Sequence, residues 1–346
     1  MSITFVVGTG RCGSTAVSRV LHQHPDVLSV SELLIGLLPT LNPEFPAIDG
    51  SGMWRELTTP SPLWDAIFRA GLTPPEICYP FGRGRFDPAV TGMPPITYSM
   101  LPMLSDDPDA LFDRLAAEVP TWPVRGAAGH YRALFAFLGE MFGTRVTVER
   151  SGAMLGLVPQ LRELFPEARF VHLHRDGPDS ALSMSRHPLY RAYALTMEVH
   201  NAMGGPPASE EELPERLRGL TGHPLDAEKF MSYPLPLAWF GTAWSTLVCQ
   251  GMPALAAMPP GAWTSLRYED LLADPAPALT RLAEFLDVPA TPQWLASATS
   301  IFDRRRPVSH AARLTPAEQA ELREACAPGV QAIADAEARL LGGIAA

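Results

Sequence analysis

The sequence predicts an α/β fold in which a parallel β-sheet is flanked by helices. Four short segments rich in β-branched or aromatic residues, 3–7, 145–149, 169–174 and 263–268, read as core strands. Helical patterns lie between or after them, and strands alternating with helices build a parallel sheet covered on both faces. A glycine-rich turn directly after the first strand marks where such a sheet takes its ligand.

The first strand, ITFVV, runs into GTGRCGST at 8–15 and then into a helical pattern over 15–24. Residues 36–125 break this rhythm. They hold 15 of the 36 prolines, in runs such as GLTPPEICYPFGRGRFDP, yet keep the Trp, Tyr, Phe and Met that disordered tracts lack. An ordered, Pro-rich inserted cap over the ligand edge of the sheet is expected, within a single domain spanning 1–346. The strand 145–149 follows, then a helix over 155–165, the strand 169–174, and a helix over 178–186 that Pro178 opens at a favoured position. The apolar run 238–258 contains Gly241, Thr242, Ser245, Gln250, Gly251 and Pro253, and reads as a buried helix instead of a membrane span. After the strand 263–268 comes a helix with the apolar face Leu279, Leu282, Phe285 and Leu286, ending before Pro289. A polar interval at 204–236 reads as a second surface excursion.

A formal charge of −10, with 47% hydrophobic and 18% charged residues, describes an ordinary soluble globular chain. That charge excludes broad adhesion to nucleic acid or anionic membrane, although Arg304-Arg305-Arg306 could hold an anion locally. Cys12, Cys78, Cys249 and Cys326 are scattered without a C-x-x-C pair, which suits thiols kept reduced in a cytosol. The opening MSITFVV has no basic n-region and no small-residue cleavage site, so a cytoplasmic protein is expected.

Gly8 and Gly13 are spaced as in the triphosphate loop G-x-x-x-x-G-K-S/T, and Ser14 and Thr15 follow. The lysine of that motif is missing, and Arg11 stands two residues before the second glycine. Gly8, Gly10 and Gly13 let the backbone come close to an anion. The turn's N–H groups, the Ser14 and Thr15 hydroxyls and the helix dipole all favour negative charge there. In triphosphate enzymes the lysine meets the β/γ-phosphates and Mg²⁺ neutralises the rest. Here no persuasive metal-binding acidic residue closes a later apolar strand; RFVHLH runs into Arg175-Asp176, arginine first. No metal is expected. His174-Arg175-Asp176 spells the kinase triplet H-R-D, but Ala181 stands where that loop needs Asn. His172 and His174 share a strand face without a third metal ligand at a recognisable spacing.

GTGRCGST resembles the 5′-phosphosulfate loop of sulfotransferases that use 3′-phosphoadenosine-5′-phosphosulfate (PAPS). The family's second signature, a strand ending in arginine with serine eight residues on, is matched by Arg175 and Ser183. SLRYEDLL resembles the family's late Y-E-D-L segment and brings in Tyr268, while RRRPVSH resembles its late basic loop and brings in Arg306. The resemblance covers 1–35 and 145–310 and leaves the cap unmatched. It implies a P-loop-like sulfotransferase fold. Gly10, Arg11, Cys12, Gly13, Ser14 and Thr15 would hold the 5′-phosphosulfate, Arg175 and Ser183 the 3′-phosphate, and Tyr268 and Arg306 would be further nucleotide contacts.

VLHQHPDVLSVSELL is similar to the tyrosylprotein sulfotransferases and related bacterial enzymes, in which H-P-D/E-V precedes a glutamate assigned as general base. Glu32 stands 21 residues after Arg11, the separation of that branch. Arg150 stands 25 residues before Arg175, where the branch has a lysine that reaches the transferring group. The implied reaction is metal-free, in-line sulfuryl transfer from PAPS to the hydroxyl of an alcohol or phenol, leaving 3′-phosphoadenosine-5′-phosphate (PAP). Glu32 would take the acceptor's proton, and Arg11 and Arg150 would offset charge on the transferring group. An arginine cannot relay a proton as a lysine can, so leaving-group protonation is not assigned. The acceptor can be a small molecule or be borne on a carrier or peptide; neither it nor the oligomeric state is legible. A P-loop nucleotide kinase is the enzymatic alternative, opposed by the missing lysine. A non-catalytic PAPS- or PAP-binding protein is the other, opposed by Glu32 at its spacing.

Overall fold

A computed structural model describes residues 2–205, 209–220, 224–302 and 309–344 of the chain. Its sheet has five parallel strands: β1 Ser2–Val7, β2 Val27–Ser31, β3 Val146–Arg150, β4 Arg169–His174 and β5 Trp263–Arg267, in the order β2-β3-β1-β4-β5. Four of them correspond to the strands expected from sequence. The fifth, β2 (VLSVS), lies inside the segment that the motif resemblance had claimed. All five of its residues are buried.

Side chains alternate across the sheet and feed two cores. Ile3, Phe5, Val7, Leu28, Val30 and Phe170 enter one; Val6, Val27, Val148, Val171 and Leu173 enter the other. β1 to β4 are buried on both faces over most of their length, as is usual in a parallel sheet, while the edge strand β5 buries only Trp263 and Leu266. Helix α1, Ser14–His22, follows β1 and packs Val17, Val20 and Leu21 on the second face.

The segment 36–125 holds four α-helices between irregular stretches: α2 Gly50–Thr58, α3 Pro62–Arg69, α4 Met100–Leu104 and α5 Pro108–Glu118. Its prolines start helices more than they prevent them. Pro62 and Pro108 occupy the first helical positions, where a missing N–H leaves nothing unsatisfied. Leu41, Met53, Leu57, Leu101 and Leu115 join the main core. Only the middle of the segment carries its own cluster, Trp64, Phe68, Tyr79, Met93 and Tyr98. The cap is thus half core and half overhang, because leucines at helical spacing in 100–118 can bury against the sheet's helices.

Helix α6, Ala127–Phe142, leads into β3, and α7, Val158–Leu164, into β4; α8, Gly177–Ser185, leaves β4. Helix α9, Pro188–Met203, carries the interval after it: Leu195 and Val199 pack with Leu213, Leu217, Leu220 and Phe230. Phe230 lies on α10, Ala227–Ser232, and the Arg191 guanidinium donates to Phe230 O (2.8 Å) and Tyr233 O (2.7 Å). Helix α11, Leu237–Ala256, is the expected buried helix. After β5 come α12 Tyr268–Ala273, α13 Pro275–Phe285, α14 Pro292–Thr299 and the long α15 Pro316–Ile344, which lies along α11. Among the described residues no helix is long and apolar enough to cross a membrane.

Candidate active site

The carboxyl ends of all five strands meet at one edge of the sheet, the edge where open α/β sheets bind ligands. β1 hands the chain to the turn at 8–13, and β2 ends immediately before Glu32. Arg150 is the last residue of β3; Arg175 follows β4 and Tyr268 follows β5. The register sets Arg150 level with Val6 on one side and with Ser31 on the other. Residues scattered over 250 positions of sequence are therefore neighbours because each is the first or last residue of its strand end.

The turn is shaped by left-handed backbone: φ is 74° at Gly10, 56° at Arg11 and 90° at Gly13. A side chain at Gly13 would run into the Tyr268 ring, and one at Gly10 into the Tyr190 hydroxyl, so both positions need glycine twice over. Tyr190, on α9, fixes the turn by donating from its hydroxyl to Thr9 O at 2.7 Å. Among the described residues four non-glycines have positive φ, namely Arg11, Glu32, Ala153 and Asp287. The first three all line one cavity. Strain of this kind costs of order 1–3 kcal/mol per residue and persists where surrounding structure enforces it.

Arg11 points from the turn toward α8. Its Nε donates to Ser183 Oγ at 3.2 Å, which joins the two expected anion anchors directly. Its guanidinium also lies 3.5 Å from the carboxylate of Glu76. Arg175 sits 5.5 Å over the Tyr268 ring and 3.4 Å from Asp179. The Asp179 Oδ1 in turn accepts the amides of His310 and Ala311, both at 2.8 Å. Arg306 lies outside the described residues. Cys12 takes part through its backbone alone: its side chain is 1% exposed, and burial pushes the thiol up to about 11. Ser14 and Thr15 are among the residues that line the cavity, and the first amides of α1 have no partner within the helix. This part of the chain fits an anionic ligand.

Glu32 and Arg150 are partners. One Arg150 nitrogen pairs with Glu32 Oε1, its Nε donates to Ser18 Oγ at 2.6 Å, and Gly152 N donates to Glu32 Oε2 at 2.8 Å. Arg150 is only 1% exposed. It stands behind Glu32 and is not among the residues that line the cavity. Beside this pair, burial, with the nearby Glu32 charge adding, pushes the Glu149 carboxyl up to about 7 against the Ser151 hydroxyl and the Leu34 amide.

Two groups escaped the sequence. Glu76, in the overhanging part of the cap, accepts from His187 Nε2 at 2.8 Å as well as pairing with Arg11. Leu189 N donates to His187 Nδ1 at 3.3 Å, which leaves the ring hydrogen on Nε2. Burial works against the charge on Glu76, but the His187 hydrogen bond and the Arg11 guanidinium hold its carboxyl below the ordinary value. A single carboxylate in an irregular Pro-rich stretch gives no signal in one sequence. His172 and His174 stack at 5.0 Å, with His174 facing Glu337 of α15 at 3.1 Å. They belong to the β4–α15 contact, and no group of three possible metal ligands occurs among the described residues.

The cavity has a volume of about 680 Å³ and reaches from Gly10, Ser14 and Glu32 outward between the cap, α9 and α11. No protein-family model and no curated protein matches the chain. Among solved structures, it is similar to the sulfotransferase domain from the curacin biosynthetic pathway (18% identity, 90% of this chain and 82% of that one, TM-score 0.46). It is also similar to the sulfotransferase domain from the Synechococcus PCC 7002 olefin synthase (17%, 94% and 94%, TM-score 0.45). A third is a sulfotransferase from Mycobacterium avium (16%, 93% and 75%, TM-score 0.43).

Proposed function

We propose that this chain is an enzyme that transfers a sulfuryl group from PAPS to the hydroxyl of an alcohol or phenol and releases PAP. One observation carries the reading. Gly10 and Arg11 of the turn and the buried carboxylate of Glu32 line one cavity, and Arg11 donates to Ser183 Oγ of α8. An adenylate with separate 5′ and 3′ anionic ends matches two touching anchors; a triphosphate would need only the first.

The turn at 10–15 would hold the phosphosulfate through amides, hydroxyls and Arg11, whose charge is fixed at every physiological pH. Arg175 and Ser183 would hold the 3′-phosphate. The donor supplies an activated sulfur–oxygen bond. The acceptor oxygen bonds to sulfur, the bond from sulfur to the bridging phosphate oxygen breaks, and PAP departs with that electron pair. Glu32 takes the acceptor's proton. Each of its oxygens accepts one protein hydrogen bond and so keeps a lone pair for this. Arg150 holds Glu32 in place. The chain's only lysine is Lys229, which donates to Glu215 O and Arg218 O in the excursion after α9. No lysine therefore serves the leaving group, and the kinase reading lacks its loop cation.

The test is calorimetry with PAP together with transfer of labelled sulfate from PAPS. PAP binding is expected in the wild type and tenfold or more weaker in Arg175→Ala, since a charge-assisted contact is worth about 1.5–3 kcal/mol. Phosphoryl transfer from ATP with Mg²⁺, in the absence of any turnover of PAPS, would overturn the proposal.

A further inference from the structure

The charged groups of the cavity are all at its inner end, and they are matched. Arg11 pairs with Glu76, Glu76 with His187, and Glu32 with Arg150. Beyond them the walls are mostly apolar, with Thr242, Thr246 and Gln250 of α11 the polar side chains among them. Trp64 and Tyr98 come from the cap, Tyr193 and Met197 from α9, and Trp239 and Leu247 from α11. At the rim, Tyr193 is 60% exposed and Leu38 44% exposed, and large apolar side chains left in water beside a cavity mark a surface that is covered in use.

We infer that the acceptor is an apolar molecule without negative charge, whose hydroxyl lies at Glu32 and whose body lies along Trp239, Leu247 and Met197. This rests on the sulfuryl-transfer reading only for the hydroxyl end. The volume, about 680 Å³, lies in the range that holds a drug-sized molecule. An acidic peptide would fit badly. Its carboxylates would leave water for walls where, among the described residues, the one arginine is already paired, and they would face two carboxylates on a chain of net charge −10. The resemblance of the proton acceptor to the tyrosylprotein branch therefore does not extend to the acceptor, because Glu32 comes from a strand end whereas the walls come from the cap, α9 and α11.

The experiment is direct calorimetry of the donor-free chain with 4-alkylphenols from ethyl to hexyl. Affinity is expected to rise about two- to fourfold per added methylene and to change little in 0.5 M salt. Leu247→Glu and, separately, Met197→Glu are expected to weaken 4-hexylphenol at least tenfold, with melting temperature as the check that each variant is folded. Affinity independent of alkyl length would overturn the inference. So would tighter binding of a tyrosine peptide flanked by aspartates. The two readings fail separately: a normal alkyl series without PAP binding defeats the donor alone, and PAP binding with a flat series defeats the acceptor class alone.

Discussion

Glu32 is held by four constraints: a left-handed φ of 54°, a hydrogen bond donated by its own N–H to Arg150 O at 2.8 Å, the Gly152 amide and the Arg150 guanidinium. Such fixing leaves its free lone pairs aimed at one place in the cavity. Glu32→Gln is expected to keep PAP affinity within about twofold and to lower turnover by about 10²–10⁴; full turnover would remove it as the proton acceptor. Arg150→Met should act differently. Removing one partner of a buried pair strands the other charge, at a cost of about 3–5 kcal/mol, so the variant is expected to unfold at lower denaturant as well as losing activity. Glu149 supplies a pH signature. Its folded value near 7 exceeds the ordinary 4.5, so the folded chain keeps a proton that the unfolded chain has released. Its contribution therefore falls as pH rises from about 4.5 to 7. Glu149→Gln removes that slope and leaves the opposite slope of the buried His172 uncompensated, so the urea midpoint is expected to rise more between pH 5 and pH 6.5 than in the wild type.

At the scale of elements, the α11–α15 contact shows how close packing is secured. Ser245 Oγ of α11 donates to Ala325 O at 2.9 Å and accepts from Gly329 N at 3.1 Å. These two groups of α15 flank Pro328, whose ring lacks an N–H and crowds the preceding turn. One hydroxyl from the neighbouring helix thus serves the backbone on both sides of an interior proline. Gly329 permits the approach, since a side chain there would meet the Trp244 ring. Ser245→Ala leaves a buried carbonyl and a buried amide without this partner and is expected to cost about 1–3 kcal/mol, read as a lower melting temperature with PAP affinity unchanged. The strands show the converse. β2 has five residues and only a V-L-x-V pattern to announce it, and it escapes a reading occupied with the motif around it.

Over the whole molecule, stability against acid is set far from the site. The His174 hydrogen bond, aided by the Ser265 hydroxyl at 2.5 Å and opposed by burial, holds Glu337 down at about 2. Burial keeps His172 neutral well below the ordinary 6.5. For Glu337 the folded value lies below the unfolded one, so its contribution is complete above about pH 4.5 and is lost as pH falls toward 2. His172 must stay uncharged in the fold while the unfolded chain protonates, so its contribution is lost as pH falls below 6.5. Glu149 opposes it between 6.5 and 4.5, and the carboxyls of Asp65 and Asp176, pushed up by burial, oppose it only down to about 3.8. A melting temperature that changes little near neutrality and drops steeply under pH 4.5 is expected. Glu337→Gln should flatten the drop between pH 4.5 and 2 and leave the curve above pH 5 unchanged.

Local chemistry was readable without coordinates. Glycines at 10 and 13, apolar strands buried on both faces, and Arg11, Glu32, Arg175 and Ser183 at fixed separations each announce themselves, because a strand end or a tight turn restricts which residues it accepts. What needed the folded chain is everything that depends on which elements lie beside one another. Arg150 meets Glu32 because β2 and β3 are neighbours with Ser31 level with Arg150. Glu76 reaches Arg11 because the cap folds back over the turn. The acceptor walls exist only where α3, α9 and α11 converge. Sequence patterns report the periodicity and backbone demands of one segment at a time, whereas contacts between distant segments are set by packing, which no single segment encodes.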